Sequence, residues 1–186
     1  MHSTTEPGIF DPFADRLARD IRNSLSTAMA AAFTHADPKR FTDRCDGWLA
    51  RDLPAANRRY IESRRRVFED LFAAHRTHRL DAPLLLAVRL WNAGLFFEVH
   101  EVVENQWHAA TGKRRQALKG LVQAAGTYVH RQAGRTAASA RLGPKAAATL
   151  RAAAEALDEI ANIRELVACL ERGAPAAPRL VYGDRR

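Results

Sequence analysis

The chain has 186 residues, with 29 Lys and Arg against 21 Asp and Glu and a formal net charge of +8. That length can bury a core without disulfides or structural metal. Its two cysteines, Cys45 and Cys169, lie far apart and outside any C-x-x-C pattern, which argues against a disulfide framework and predicts reduced, structural thiols. No apolar run approaches the ~20 residues of a membrane span. The N-terminus lacks a charged-then-apolar signal pattern, so no membrane partner is expected and the expected location is cytoplasmic. Ala and Leu dominate, β-branched residues come singly, and period-two alternation is absent. The expected class is therefore all-α, a compact bundle of about six or seven helices. The surplus charge, nearly all of it Arg, favours contact with an acidic or anionic partner.

Residues 1–10 are polar and are expected to be disordered. Asp11-Pro12 reads as an N-cap followed by proline in the first helical position, opening a helix to about Phe33. From His35 to Pro54, the pairs Asp37-Pro38, Asp46-Gly47 and Leu53-Pro54 mark turns around a short helical piece near Phe41. A helix of about Ala55 to His75 follows, and residues 11–80 are expected to pack on the core as an N-terminal helical segment. The run Arg58, Arg59, Arg64, Arg65 and Arg66 lies among acids four residues away: Arg58–Glu62, Glu62–Arg66, Arg65–Glu69 and Arg66–Asp70. These spacings predict a salt-bridged solvent face, and no nucleic-acid module is recognisable in the chain. His75 and His78 suit a helix C-terminus, where a positive ring meets the negative end of the dipole.

A second helical domain is expected over residues 81–172. Asp81-Ala82-Pro83 opens its first helix, and Asn92-Ala93-Gly94 closes it, with Gly94 suited to a left-handed position. Helices of Leu95 to about Ala109 and Lys113 to Ala133 follow, joined by a tight turn at Thr111-Gly112. Together they predict an antiparallel hairpin at the centre of the bundle. Gly134 ends the second of them. A shorter helical stretch, a break at Gly143-Pro144, a helix over 145–156 and a last helix from Asp158 to Glu171 complete the fold. The tail, 173–186, carries two prolines and is expected to be extended.

The stretch from Trp91 to Trp107 packs Glu98, Glu101, Glu104 and His100 among large apolar residues. Ionisable groups in such company are either paired or used. On a helical wheel Leu95, Phe96, Val99, Val102, Val103 and Trp107 form the apolar arc. His100 and Glu104, four apart, border it beside Trp107, while Glu98, Glu101 and Asn105 lie on the far side. His100/Glu104 is thus the pair expected to be better buried. On the next helix Gln116, Gly120, Gln123, Thr127 and His130 make a neutral stripe, which reads as packed against the preceding helix. Gln123 and His130 would then face His100 and Glu104.

Three readings of this cluster stay open. A hydrogen-bonded network can fix helix register and nothing more. A small-ligand or enzyme-like pocket can use His100 or Glu104 as acid or base, walled by Phe96 and Trp107 and supported by Glu98, Glu101 and Arg115. A metal can be held by His100, Glu104 and His130 with one open position. No cofactor is required by any pattern. The sequence H-E-x-x-E is not the H-E-x-x-H of zinc proteases, and the E-x-x-H of di-iron bundles is absent. Thr111-Gly112-Lys113 is not the end of a phosphate loop, and no Gly-x-Ser-x-Gly elbow exists. The alternative from another class is a non-catalytic helical interaction module with a protein or nucleic-acid partner, the cluster being purely structural.

The run N-x-G-x-F-F-E-x-H-E-x-x-E-x-x-W from Asn92 to Trp107, then Arg115, Gly120-Leu121-Val122-Gln123-Ala124-Ala125 and His130, resembles the signature of the domain of unknown function 309 family. The resemblance covers about residues 84–142 well, and the last helix and Pro178-Arg179 loosely. It implies a small all-α protein and points to Glu98, His100, Glu101, Glu104, Trp107, Gln123 and His130. It implies no particular reaction. Where the family usually carries Gly-Asn after the histidine helix, this chain has Gly134-Arg135, which puts any role of that Asn in doubt here.

Lys113, Arg114 and Arg115 occupy a helical first turn, where the macrodipole disfavours cations. A salt bridge from Arg115 to Glu101 or Glu104 is the expected compensation. A bound phosphate or carboxylate is the functional alternative.

Overall fold

The computed structural model describes residues 8–75 and 83–183. Among the described residues, eight α-helices and one 3-10 turn make up the regular structure, and the fold is all-α. The chain divides into two compact units, residues 1–80 and 81–186. The expectations for residues 1–7, for His78 and for a helix opening at Asp81-Ala82 lie outside the described residues.

In the first unit, α1 spans Arg16–Thr34, α2 Lys39–Leu49 and α3 Ala55–His75. Helix α1 starts one turn later than expected. The Asp11 carboxylate caps a single preceding turn by accepting from the amides of Phe13 (2.8 Å) and Ala14 (3.3 Å). Asp15 then repeats the device, accepting from Leu17 and Ala18. Two aspartates four residues apart compete for the start, and the second wins because the unbroken helix begins behind it. Helix α2 is longer than the short piece expected and runs through Asp46-Gly47, so that dipeptide is not a turn. Phe33, Phe41, Phe68 and Phe72 form an aromatic core with ring centroids 4.3–5.5 Å apart along the cluster. Cys45 is buried, and burial pushes its thiol up to about 12, which leaves it an inert core group.

The salt-bridge ladder expected on α3 forms only in part. Arg65 does pair with Glu69 at 3.2 Å, but it also reaches Asp46 of α2 at 2.5 Å. Arg58 instead donates to the carbonyls of Leu49 and Arg51, where the chain leaves α2. These arginines are thus partly helix-to-helix ties and not only a solvated face.

In the second unit, α4 spans Pro83–Asn92, α5 Phe96–Ala109, α6 Gly112–Gln132, α7 Thr136–Arg151 and α8 Ile163–Glu171, with the 3-10 turn at Ala154–Leu157. Gly94 has φ +73°. The Leu95 amide reaches back to the Leu90 carbonyl at 2.9 Å, closing α4 as the glycine signal predicted. Helices α5 and α6 form the expected hairpin, held at one end by Trp91, Phe96 and Tyr128 with centroids 5.0–5.4 Å apart. Gln132 ties its α6 end to the Gly94 carbonyl at 2.8 Å.

Two expectations are corrected here. Helix α7 does not break at Gly143-Pro144 but continues through Pro144 to Arg151. The proline removes the amide that would serve the Ala140 carbonyl, yet Ala140 is exposed and water can serve it. The buried face of Ser139, Gly143, Ala146, Ala147 and Leu150 carries the helix across. The last helix starts at Ile163, not Asp158, because residues 159–162 pair with the tail instead. Ile160 bridges to Tyr182, with Ala161 donating to the Val181 carbonyl and Gly183 to the Glu159 carbonyl.

That tail is strapped down by two asparagine side chains. Asn92 donates to the Leu180 carbonyl (2.9 Å) and accepts from its amide (2.8 Å). Asn162 donates to the Arg179 carbonyl and accepts from the Val181 amide. Trp91 adds an indole hydrogen bond to the Pro178 carbonyl at 2.8 Å, and Leu180 is buried. Among the described residues no helix is long and apolar enough to cross a membrane.

Candidate functional site

Helix α5 buries Phe96, Glu98, Val99, Val102 and Val103. The opposite arc carries Phe97, His100, Glu101, Glu104 and His108. His100 Nδ1 lies 3.5 Å from a Glu101 carboxylate oxygen and 3.7 Å from one of Glu104, with side chains 31%, 33% and 37% exposed. The other Glu104 oxygen lies 3.9 Å from His108 Nε2. Phe97 stacks parallel to the His100 ring, with centroids 6.2 Å apart. The Nδ1 atom itself is shielded from solvent and makes no hydrogen bond.

This corrects the expected division of the motif. Glu101 joins His100 and Glu104, and it is Glu98, at 2% exposure, that is the buried acid. The wheel misjudged this because the buried arc extends past Val102 to Glu98, while His100 and Glu104 sit on the wetter side. Phe97 and His108 are neighbours that the sequence reading did not single out. The i,i+4 spacing of Glu104 and His108 was the available signal.

Helix α6 also turns differently from the expected register. A Cβ on Gly120 would lie 2.8 Å from Leu150 Cγ of α7, and Thr127 lies against Gly143 of the same helix. The stripe of Gly120 and Thr127 therefore faces α7, and Tyr128 with its apolar neighbours serves α5. The reason is steric: only the glycine position lets the buried Leu150 approach so closely. His130 is consequently absent from the one group of three or more candidate ligands found among the described residues, which is His100, Glu101 and Glu104. Gln123 is half-buried with its carbonyl oxygen shielded and without a hydrogen bond, and it too is outside that group.

The expected walls separate as well. Phe96 is a core residue between Trp91 and Tyr128. Trp107 is half-buried, and the Arg115 guanidinium lies over its ring at 5.2 Å. Arg115 makes that contact in place of the expected bridge to Glu101 or Glu104. The charge at the start of α6 is compensated from elsewhere. Lys113 pairs with Glu155 (2.5 Å), and Arg114 pairs with Glu159 through two 2.7 Å bonds. Both acids come from the segment after α7, which no local pattern pointed to. A concavity of about 590 Å³ between Arg151, Leu157, Ile163 and Arg164 contains none of the predicted site residues.

His130 is held below the ordinary imidazole value, first by burial and then by the charges of Arg135 and Arg141. The unfolded chain therefore binds the proton more readily than the folded one. This ring's contribution to stability is complete above the unfolded value near 6.5 and is lost as pH falls through the lower folded value. A proton NMR titration is expected to place His130 below that ordinary value, and His130→Gln should flatten the stability change across this window. A titration at or above 6.5 would contradict the reading.

No curated protein and no solved structure matches the chain. Residues 84–142, which carry α5 and the whole His100 cluster, match the model of the family described as Domain of unknown function (DUF309), the family that the Asn92–Trp107 motif resembles.

Proposed function

We propose that this chain binds a divalent transition-metal ion through His100, Glu101 and Glu104, in a three-ligand site with a position left for water or a small oxygen-bearing ligand. The observation that carries this reading is the spacing of the donors. Their ligand atoms all lie within 4.8 Å of one another, and the nitrogen stands 3.5 and 3.7 Å from the two carboxylates. A tetrahedron with bonds of ~2.1 Å has an edge of about 3.4 Å, close to those separations. A hydrogen-bonded imidazole would sit nearer, about 2.8 Å from its acceptor. The Nδ1 atom is shielded from solvent and makes no hydrogen bond, which suits a nitrogen kept for a metal ion.

The donor set of one imidazole and two carboxylates suits Zn²⁺, Mn²⁺ or Fe²⁺ better than a thiolate-seeking ion. Such an ion acidifies bound water and polarises an oxygen ligand when it is present. The chain's own residues supply the rest: Phe97 restrains the imidazole plane, and His108 stands beside the outer Glu104 oxygen. Acid–base chemistry would then depend on the ion and Glu104 together, not on a pocket closed by Gln123 and His130.

Isothermal titration of metal-free protein with Zn²⁺ and Mn²⁺ tests this. One ion per chain is expected, with His100→Ala and Glu104→Gln each weakening binding by about ten-fold or more. His108→Ala should retain the stoichiometry. The proposal fails if the wild-type protein takes up no ion, or if the His100 and Glu104 variants bind as it does.

A further inference from the structure

We propose that the seam between α1 and α2 is a binding trough for single-stranded nucleic acid. Arg40, Arg44 and Gly47 are spaced 4 and 3 residues apart, so they lie in one row along α2, and Arg51 follows just beyond its end. They line a concavity of about 340 Å³ together with Trp48. A second concavity, about 540 Å³, shares Arg40 and Arg44 and runs on over Ser24 and Thr27 of α1. The two concavities thus adjoin at Arg40 and Arg44, one over α2 and the other over its seam with α1.

The neighbouring acids leave much of that charge available. Asp46 is taken by Arg65, and Asp37 pairs only with Arg40 at 3.5 Å. Among the described residues Arg44 makes no ion pair, and the Arg51 guanidinium lies 4.6 Å over the Trp48 ring. The indole is fixed across the seam by its 3.2 Å bond to Ser24 Oγ. A stacked arginine–tryptophan pair is a platform that a nucleobase extends, while free guanidinium groups take phosphates. Asp43, the one carboxylate in the lining, matches an exocyclic amine of a base.

Gly47 is the independent sign. A glycine inside a helix weakens it, and this one has neither a positive φ nor any atom within 4 Å of the place its Cβ would take. Neither backbone geometry nor packing explains it. Its missing side chain does floor the concavity beside Trp48. A bare floor next to an aromatic edge serves a flat face, which the bases of a single strand expose and those of a duplex keep stacked. A duplex or an acidic peptide would use the arginines and ignore the glycine.

Fluorescence anisotropy of the full chain with labelled oligo(U) and oligo(dT) of about 15 nucleotides tests the proposal. Binding of one or both strands is the expected result. Arg44→Glu should weaken it about ten-fold or more, and Arg44→Ala should lower the salt slope by about 0.7. Gly47→Ala should weaken binding several-fold while raising Tm by about 2–4 °C. That opposition, a firmer protein that binds less, is not produced by a merely structural residue. Lack of binding, binding indifferent to Arg44 or Gly47, tighter binding of the duplex, or equal displacement by polyglutamate would each overturn it.

Discussion

Gly120→Ala is expected to destabilise the second unit by about 2 kcal/mol, and Tm should fall by about 5 °C. The added Cβ would lie 2.8 and 2.9 Å from Leu150 side-chain carbons and 3.0 Å from the Leu150 amide nitrogen. Leu150 is fully buried, and neither its branch carbon nor its backbone can swing away. Helices α6 and α7 must therefore part, at an overpacking cost of about 3 kcal/mol, of which better helix propensity returns about 1. Gly126 on the same helix is the control. Its Cβ would meet only the flexible end of Leu142, at 3.2 Å, so Gly126→Ala should be close to neutral. Calorimetry on the two variants decides the matter, and equal melting temperatures would refute the close-approach account.

Arg114→Met should cost about 2 kcal/mol at neutral pH. The guanidinium makes two 2.7 Å bonds to Glu159 and a third, 2.5 Å, to the Ala156 carbonyl. Glu159 is only 13% exposed, so its charge is left poorly solvated once the partner is gone. Burial alone would raise the Glu159 carboxyl. Its bonds to Arg114 and to its own backbone amide, with the arginine's charge, outweigh burial and hold it below the ordinary carboxylate value. The stability this contributes is complete above the unfolded glutamate value near 4.3 and is lost as pH falls through the lower folded value. The gap between wild type and Arg114→Met should accordingly narrow as pH is taken from 7 to about 3. Denaturant titrations at both ends measure it, and a gap that stays constant would remove the ion pair from the explanation.

The parts of this fold that could be read from sequence are those set by neighbours in the chain. Gly94 announced the end of α4 because only a residue without Cβ takes φ +73° cheaply. The α5–α6 hairpin followed from apolar periodicity and a short turn. What depended on distant residues went astray. Gly120 was read as facing α5, since nothing near it in sequence names Leu150 as its neighbour. Arg115 was matched to nearby acids, while Trp107 took it and Glu155 and Glu159, some 42 and 45 residues from their own partners, neutralised Lys113 and Arg114. The site shows the same division. The motif pointed to His100 and Glu104, but whether Glu98 or Glu101 joined them depended on which arc the rest of the unit covers. A wheel drawn from one helix cannot supply that. Pro144 shows the limit from the other side, where a strong local stop signal yields to a face of buried small residues and Leu150.

The asparagine strap bears on how the protein is made. Asn92 and Trp91 find their partners at Leu180 and Pro178, 88 and 87 residues further along. During synthesis the side-chain amide of Asn92 and the indole of Trp91 cannot meet these partners until residues 178–180 have been translated. The segment that matches the family model ends at residue 142, inside α7, before Leu150 has been added and long before the strap exists. The second unit is thus completed from its C-terminal end. Truncation there, by protease or by premature termination, strikes the first helix of the unit and not merely its last residues.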